Sequence, residues 1–433
     1  MRSSKSHPHT HVSAFKKKAS AIPHIFLGTT IVIIVGAAFF IAPAVFSVSY
    51  ESASGQVASA TPAAQIAVQQ PTAAHLPTPE PLYGIYMSQC VVGTPSFRAS
   101  LTKFIEDTEL NAVVIDIKDF SGTLGYVPND PQFKDVAVTK CGTHDIAAYI
   151  KELHAKNIYV IARITVFQDP AYTKAHPEQA VQKTGGGVWK NYGGLAFVDV
   201  GAKPYWDYVV ALSKDAYAQG FDELNYDYIR FPSDGDLKTA VYSYETGGVS
   251  KETALENFFS YLHTQVAPTG AIMSADLFGY TTIHTDDLGI GQVLERALPY
   301  FDYVAPMVYP SHYNSGFAGL KNVNSDPYAV VNLSLDAAVK RASATSTVNA
   351  AFDETAIAST SPQRYTKPVF ASSKIRPWLQ SFDYPVPYTP AMVEAQIKAT
   401  TDAGLTSWLF WDAGNKYKSL RQVLVNTQPT AAQ

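Results

Sequence analysis

The stretch 220–232 holds the residues whose types and spacing best suit chemistry. It reads GFDELNYDYIRFP, and its aromatic and branched residues, closed by Pro232, predict a strand. Because side chains alternate along a strand, Glu223, Asn225 and Asp227 share one face. The other face receives Leu224, Tyr226 and Tyr228. A carboxylate such as Asp227 at the end of an apolar strand can act as a nucleophile or move a proton.

Short apolar runs alternate with helical patterns on both sides of this stretch. The strands are predicted at 84–88, 111–118, 158–164, within 220–232, and at 271–276, 303–309, 375–382 and 406–411. The helices are predicted at 97–108, 144–156, 205–219, 251–265, 292–298, 327–342 and 391–403, with a short one after the last strand. Eight strand–helix units over roughly 350 residues predict a (β/α)8 TIM barrel of the α/β class.

In such a barrel the carboxyl ends of the strands meet at one face and carry the chemistry. Polar residues stand at or just beyond most of these predicted ends: Asp116, Lys118, Arg163, Asp227, Arg230, Asp276, Tyr309, Gln380 and Asp412. One such residue would only indicate contact with water, but the recurrence over seven or eight strands predicts a shared site. Since buried charges need partners, we expect these groups to surround one cavity.

Asp227 and Asp276 form the predicted catalytic pair, on neighbouring strands. Glycoside hydrolysis uses such a pair, with one carboxylic acid to protonate the leaving oxygen and one carboxylate as nucleophile or base. We expect Arg163 and Arg230 to keep Asp227 ionised. Asp276 stands between Ala275 and Leu277, so we expect burial to raise its pKa and make it the acid.

A wider set is predicted to bind the substrate: Asp116, Lys118, Arg163, Glu223, Asn225, Arg230, Tyr309, Trp378, Gln380, Trp411 and Asp412. Trp189, Trp378 and Trp411 could offer flat faces to sugar rings, or could instead fill the mouth of the barrel. The glycine-rich segment 167–200 follows the third strand and is predicted to be a binding loop. The segment 342–374 precedes the seventh strand and is predicted to be inert.

Other function classes lack their motifs. The sequence has no His-Glu-x-x-His, no Gly-x-Ser-x-Gly and no P-loop, so we predict neither a metal site nor a cofactor. Its net charge of -4 gives no sign of a general affinity for polyanions, so we predict no nucleic-acid partner. Cys90 and Cys141 are the only cysteines. We predict that they form a disulfide joining the loops after the first and second strands, the alternative being two inert thiols.

The front of the chain predicts an anchor. Residues 1–24 are basic and contain no acidic residue. Residues 25–48 contain no charged residue, and this run is long enough to cross a bilayer as a helix. The basic flank predicts a cytoplasmic N-terminus, with membrane as a partner and the barrel on the extracytoplasmic side. A signal peptide cleaved near 42–44 is the alternative. Residues 49–82 are predicted to be a flexible linker, 83–426 the barrel and 427–433 a tail.

Several motifs resemble one family. They are YGIY at 83–86, LNAVVIDIKD at 110–119, IARITVF at 161–167, the stretch 220–232, PMVYP at 306–310 and RPWLQ at 376–380. Over about 83–417 the chain resembles the glycoside hydrolase domain of bacterial exported proteins, once catalogued as a domain of unknown function. The resemblance implies a glycosidase-type barrel acting on a polysaccharide such as a cell-wall or capsular glycan. The alternative is a carbohydrate-binding or wall-attachment module without catalysis.

The stretch 220–232 is also similar to the acidic fourth-strand motif of chitinase-type barrels. Asn225 replaces one of that motif's acids and Ile229 stands where its catalytic Glu would be, so the chitinase mechanism is not expected. Amylase-like barrels provide the closer analogy. By strand position alone, that analogy implies that Asp227 is the nucleophile and Asp276 the proton donor.

Overall fold

A closed barrel of eight parallel strands forms the body of the protein. The computed structural model describes residues 73–244, 248–349 and 355–426. The strands are β1 (Tyr83–Met87), β2 (Ala112–Lys118), β3 (Tyr159–Thr165), β4 (Glu223–Asp227), β5 (Ile272–Phe278), β6 (Tyr303–Met307), β7 (Trp378–Gln380) and β8 (Trp408–Trp411). Each strand pairs with the next in chain order, and β1 also pairs with β8 to close the barrel. The predicted (β/α)8 barrel is therefore confirmed.

Helices connect the strands and cover the outside of the barrel. They are α1 (Gln89–Val92), α2 (Pro95–Glu106), α3 (Ile146–Ala155), α4 (Pro170–Ala175), α5 (Lys203–Gln219), α6 (Lys251–Val266), α7 (Leu294–Ala297), α8 (Pro327–Ser343), α9 (Pro390–Asp402) and α10 (Lys418–Asn426). Helix α5 sets the entry into β4. It ends at Gly220, whose φ of 110° lies in the left-handed region that glycine adopts without steric cost.

Two apolar layers hold the elements together. The larger one lies between the strands and the helices and contains outward-facing strand residues such as Leu224 and Tyr226. The smaller one contains inward-facing residues such as Val114, Ile161 and Trp378. This division follows from the two-residue period of a strand, which sends alternate side chains to opposite sides of the barrel wall.

The segment 73–82, predicted to be the end of a flexible linker, packs on the barrel. The Leu76 N–H donates to Asp222 Oδ1 at 2.7 Å, and the Thr78 hydroxyl lies 3.0 Å from the Tyr159 hydroxyl. The His75 ring stacks on Tyr217 with the ring centroids 4.0 Å apart. Composition gave no sign of this packing, because it relies on a backbone donor and single side chains rather than on an apolar run.

The membrane-anchored localisation predicted from the sequence is corrected. Over the described residues, none of the helices is both long enough and apolar enough to cross a bilayer. The charge-free run 25–48, on which that prediction depended, lies outside the described residues.

A disulfide links the loops that follow the first two strands. Cys90 lies in α1 and Cys141 lies in the connection between β2 and α3, and their Cα atoms are 4.5 Å apart. The pairing and its place are those predicted from the sequence. It fixes one rim of the barrel on the side where the strands end.

Candidate active site

A cavity of about 710 Å³ opens at the carboxyl ends of the strands. Its charged and polar lining consists of Arg163, Asp227, Arg230, Ser233, Asp276, His312 and Asn314. Its aromatic and apolar lining consists of Tyr228, Phe278, Gly279, Tyr280, Met307, Tyr309, Tyr313 and Trp411. Both predicted catalytic carboxylates thus line one open space. A volume of this size suits a small-molecule ligand or a few sugar units.

The guanidinium of Arg163, at the end of β3, lies among three carboxylates. Its Nη1 atom donates to Asp116 Oδ1 at 2.8 Å, and its Nη2 atom donates to Asp227 Oδ2. Its Nε atom lies 3.9 Å from Asp276 Oδ2 and has no hydrogen-bond partner. Burial alone would lower the pKa of Arg163, and the carboxylates of Asp116 and Asp227 raise it well above its ordinary value.

Asp276, on β5, is held by two N–H donors on one oxygen. Asn225 Nδ2 and Trp378 Nε1 both donate to its Oδ1 atom at 2.8 Å. The residue is 1% exposed, and burial raises its pKa to about 8, with the charge of Asp227 acting in the same direction. This shift favours the protonated form of the carboxyl group, as a proton donor requires. Because both donors occupy Oδ1, the proton belongs on Oδ2.

Asp116 is a second buried acid but does not line the cavity. Its Oδ2 atom accepts a hydrogen bond of 2.9 Å from the Tyr86 hydroxyl, and its Oδ1 atom binds Arg163. Burial raises the pKa of Asp116 to about 6, while the positive charge of Arg163 opposes that shift. Asp116 therefore helps to orient Arg163, and the structure corrects its predicted role as a residue in contact with substrate.

Asp227 is the last residue of β4, and both of its carboxylate oxygens have a donor. Oδ2 binds Arg163, and Oδ1 accepts the Tyr228 N–H at 2.6 Å. Tyr228 has a φ of 52°, which ends the strand and redirects its own side chain. The alternation rule placed Tyr228 opposite Asp227, and this prediction is wrong because the left-handed backbone brings Tyr228 to the cavity wall.

Arg230 follows the strand and lines the cavity among aromatic rings. Its Cζ atom lies 4.7 Å from the ring centroid of Tyr228 and 4.8 Å from that of Phe278. Its Nη1 atom donates to the Phe231 carbonyl at 3.1 Å. Burial lowers the pKa of Arg230 from its ordinary value. Arg163 and Arg230 are thus the two guanidinium groups that the sequence placed near Asp227, but only Arg163 forms an ion pair with it.

Glu223 lies at the amino end of β4, away from the cavity. It forms an ion pair with Arg376, and its Oε2 atom accepts a hydrogen bond of 3.4 Å from Tyr159. The strand rises about 3.3 Å per residue, so an inward-facing residue four positions before Asp227 lies two layers below it. The predicted substrate contact of Glu223 is therefore wrong.

Lys118 is also absent from the cavity. A register shift between β2 and β3 occurs at Asp116 and Lys118, so these two residues do not continue the same inward face. The Lys118 ammonium lies 2.8 Å from Asp169 Oδ2 and 3.3 Å from the Tyr205 hydroxyl. Lys118 therefore forms a buried ion pair with Asp169, the residue that caps the N-terminus of α4, instead of the predicted contact with substrate.

The other predicted binding residues divide into two groups. Tyr309 and Trp411 line the cavity, and Trp411 stacks on Tyr86 with the ring centroids 3.8 Å apart. The remaining members lie behind the wall or beside it: Asn225, Trp378, Gln380 and Asp412. None of these four lines the cavity, and their contacts explain their positions.

Asn225 and Trp378 hold Asp276 from behind. The side-chain amide of Gln380 donates to the Phe382 and Tyr384 carbonyls at 3.1 and 3.0 Å. Asp412 accepts the Gly414, Lys416 and Tyr417 N–H groups, each at 2.8 Å. It borders a separate cavity of about 160 Å³. Gln380 and Asp412 therefore shape the loops after β7 and β8.

The binding role predicted for the loop 167–200 is not supported by the cavity lining. Trp189 is 1% exposed and its indole N–H donates to the Asp236 carbonyl at 3.0 Å, so it packs the loop rather than facing a ligand. The loops after β5 and β6 line the cavity instead, through Tyr280 and Tyr313.

Both tyrosines lie in loops beyond the strand ends, where the sequence analysis predicted no site residue. A signal exists in the sequence, since the run 309–314 (YPSHYN) places polar and aromatic residues directly after a strand. Gly279 makes the arrangement possible. A Cβ atom there would lie 2.4 Å from the Tyr313 hydroxyl and 2.5 Å from the Met307 carbonyl oxygen.

The described part of the chain contains no group of three or more His, Cys, Asp or Glu side chains arranged to hold a metal ion.

Comparisons with known proteins identify one protein family and several similar solved structures. A family model described as "Putative glycosyl hydrolase domain" matches residues 84–417. No curated protein matches the chain.

Three solved structures are similar to parts of the chain. A hypothetical protein from Ruminiclostridium thermocellum is 31% identical and has a TM-score of 0.41, covering 47% of this chain and 98% of that one. The PgaB (BpsB) glycoside hydrolase domain from Bordetella bronchiseptica is 15% identical and has a TM-score of 0.52, covering 79% and 98%. The glycoside hydrolase domain of PelA from Pseudomonas aeruginosa is 13% identical and has a TM-score of 0.40, covering 78% and 97%.

The PgaB likeness supports the fold alone, whereas the family model extends from β1 to beyond β8 and includes every lining residue of the cavity. The chain therefore belongs to this glycosyl hydrolase domain family.

Proposed function

We propose that the barrel hydrolyses a glycosidic bond of a polysaccharide, with Asp276 as the acid and Asp227 as the nucleophile or base. The observation that carries the proposal is the difference between two carboxyl groups in one cavity. Asp276 is buried with a pKa raised to about 8, whereas Asp227 binds a guanidinium directly. Glycoside hydrolysis requires one proton donor and one carboxylate in the same site.

The proton of Asp276 would pass to the glycosidic oxygen as the bond from that oxygen to the anomeric carbon breaks. Positive charge develops on the sugar in the transition state, and the negative Asp227 stabilises it. In one route Asp227 bonds to the anomeric carbon, and water, deprotonated by the now ionised Asp276, then displaces Asp227 from the sugar. In the other route Asp227 removes a proton from the water that attacks the anomeric carbon directly. Arg163 holds the Asp227 carboxylate in place through a charge-assisted hydrogen bond.

Aromatic side chains supply the surface for a chain of sugars. Tyr228, Phe278, Tyr280, Tyr309 and Trp411 all line the cavity. Flat aromatic faces stack on the apolar faces of sugar rings, and their hydroxyl or indole groups can bind the ring substituents. A cavity with an aromatic wall and a buried acid pair supports a polysaccharide substrate, of which a cell-wall or capsular glycan is an example.

The rival proposal is a carbohydrate-binding or wall-attachment module that has kept the barrel and lost catalysis. A carboxylate that pointed into a closed core would support that alternative. Asp227 and Asp276 both line the open cavity. The positions of Asp227 and Asp276 therefore favour hydrolysis.

The experiment is a screen of the full chain against a panel of polysaccharides, with release of reducing ends as the readout. Wild-type protein should cleave at least one glycan, and Asp276→Asn should bind that glycan but release no reducing ends. Binding of glycans without cleavage by the wild type would favour the rival module. The anomer of the first product would then tell whether Asp227 attacks the sugar or activates water.

A further inference from the structure

Arg230 lines the cavity without a bound carboxylate, unlike Arg163. Arg163 is already bound by Asp116 and Asp227. For Arg230, no carboxylate oxygen of the described residues lies within 4.0 Å of a guanidinium nitrogen. Asp227 and Asp234 act on it only at longer range. Arg230 is nevertheless 7% exposed, so most of its surface is removed from water.

The protein occupies only part of the hydrogen-bonding capacity of Arg230. A guanidinium has five N–H donors. Nη1 donates to the Phe231 carbonyl, and the guanidinium also forms a side-chain hydrogen bond with Tyr228. The rings of Tyr228, Phe278 and Phe197 surround it. Aromatic faces attract a cation but accept hydrogen bonds only weakly. A buried cation in such a setting gains most from an anion that enters the cavity and takes its free donors.

We infer that Arg230 binds an anionic substituent of the sugar that lies beside Asp227. The substrate would then be a glycan with carboxylate, phosphate or sulfate groups rather than a neutral one, an inference that rests on the function proposed above. The planar fork of a guanidinium matches a carboxylate or a phosphate through two parallel hydrogen bonds. Neutral hydroxyl groups are served by other lining residues, such as Ser233, His312 and Asn314.

The first experiment measures binding of monosaccharides to the full chain by calorimetry or ligand-observed NMR. Glucuronate should bind at least about tenfold more tightly than glucose, as expected for one charge-assisted hydrogen-bond pair. Arg230→Gln should remove this preference, because it lowers the affinity for glucuronate more than the affinity for glucose. Arg230→Lys should retain part of the preference, because it keeps the charge without the fork.

Glucose 6-phosphate and glucose 6-sulfate form a second arm that identifies the source of the anion. If either ester binds more tightly than glucuronate and Arg230→Gln removes this difference, the inference is supported. The anionic group of the substrate is then a phosphate or a sulfate ester. The control variant is Arg364→Gln, which removes the same charge from a residue that binds Ser346 outside the cavity. The inference is overturned if glucose binds as tightly as all three anions, or if Arg230→Gln lowers the affinity for glucose and glucuronate equally.

Hydrolysis is measured separately, with an acidic polysaccharide and the same polymer after chemical reduction of its carboxyl groups. Cleavage of the reduced polymer at an equal kcat/KM would overturn the anionic preference and leave the proposed hydrolysis intact. Binding of anions through Arg230 without cleavage of any polymer would uphold the inference and contradict the hydrolysis. A melting curve for each variant tells loss of binding from loss of fold.

Discussion

Trp378 donates its indole N–H to Asp276 Oδ1 across 2.8 Å, from β7 to β5. The tryptophan was predicted to offer a flat face to sugars, yet it is 1% exposed and lies behind the acid. Together with the amide of Asn225, it occupies Oδ1 of Asp276 and leaves Oδ2 as the oxygen that would carry the proton. The same hydrogen bond stabilises the ionised form of the carboxyl group and so opposes the increase in pKa caused by burial.

Asp276 should give the activity its alkaline limit. Burial raises its pKa to about 8, and the acid must be protonated to act. We therefore expect kcat to fall as the pH rises through about 8, and Asp276→Asn to abolish this limit together with most of the activity. A pH profile of kcat on the glycan found by screening tests this. An unchanged alkaline limb in a partly active Asp276→Asn protein would show that another group is the acid.

The same pKa predicts a pH dependence of stability that needs no substrate. A carboxyl group with a folded pKa above its unfolded pKa stabilises the fold fully below the unfolded value, near 3.8, and loses that contribution as the pH rises to about 8. Relative to wild type, Asp276→Asn should gain stability across this range, with a slope of up to about 1.4 kcal/mol per pH unit. Urea unfolding at several pH values measures it, and a constant difference would argue against a protonated Asp276.

Trp378→Phe should move the alkaline limb upward. The substitution removes the donor that favours the ionised Asp276, so the pKa of Asp276 should rise further. Because a weaker acid donates its proton less readily, kcat should decrease while KM changes little. Trp408→Phe is the matched control, since Trp408 lies in β8 and stacks on Tyr83. If both variants leave the limb at the wild-type pH, the indole of Trp378 serves packing alone.

Lys118→Met should reduce stability without a matching loss of activity. It leaves Asp169 as an unpaired buried charge, which costs about 3–5 kcal/mol. Lys156→Met at the surface breaks a pair with Glu106 and should leave the unfolding midpoint near that of wild type. Urea unfolding and kcat/KM at low temperature separate the two effects. A large loss of kcat/KM in a folded Lys118→Met protein would restore the role in substrate binding predicted from the sequence.

The disulfide should stabilise the fold by an amount set by its loop. Cys90 and Cys141 are 51 residues apart, and loop-closure entropy for that length corresponds to about 4 kcal/mol. Unfolding of wild type with and without reductant, beside a Cys90→Ser/Cys141→Ser variant, measures this contribution. Equal midpoints in all three samples would show that the bond constrains neither state.

The fold followed from the sequence because hydrophobic period and strand count are local patterns. β2 was predicted at 111–118 and lies at Ala112–Lys118, and α8 was predicted at 327–342 and lies at Pro327–Ser343. The match of Asp227 and Asp276 to one cavity followed from strand order, since neighbouring strands of a parallel barrel end at the same face.

The parts of the site that were missed depend on features beyond a regular strand. The register shift at Lys118 and the left-handed backbone of Tyr228 each redirect a side chain that simple alternation placed elsewhere. Glu223 was assigned to the correct face of its strand but to the wrong end of the barrel. The alternation of side chains predicts which face a residue occupies and not how far it lies from the carboxyl end of the strand. Tyr280 and Tyr313 reach the cavity on loops whose course is set by packing around Gly279.

The most direct test of the proposed mechanism is kcat/KM of Asp227→Asn on the glycan that the wild type cleaves. Asn keeps the shape and removes the charge, so kcat/KM should fall by at least about 10³-fold while glycan binding and the melting temperature stay close to those of wild type. Asp116→Asn is the matched control, because Asp116 binds the same guanidinium of Arg163 but does not line the cavity. For this variant kcat/KM should fall by no more than about tenfold. Full turnover by Asp227→Asn, its failure to fold, or equal losses in the two variants would contradict the assignment of Asp227 to the reaction.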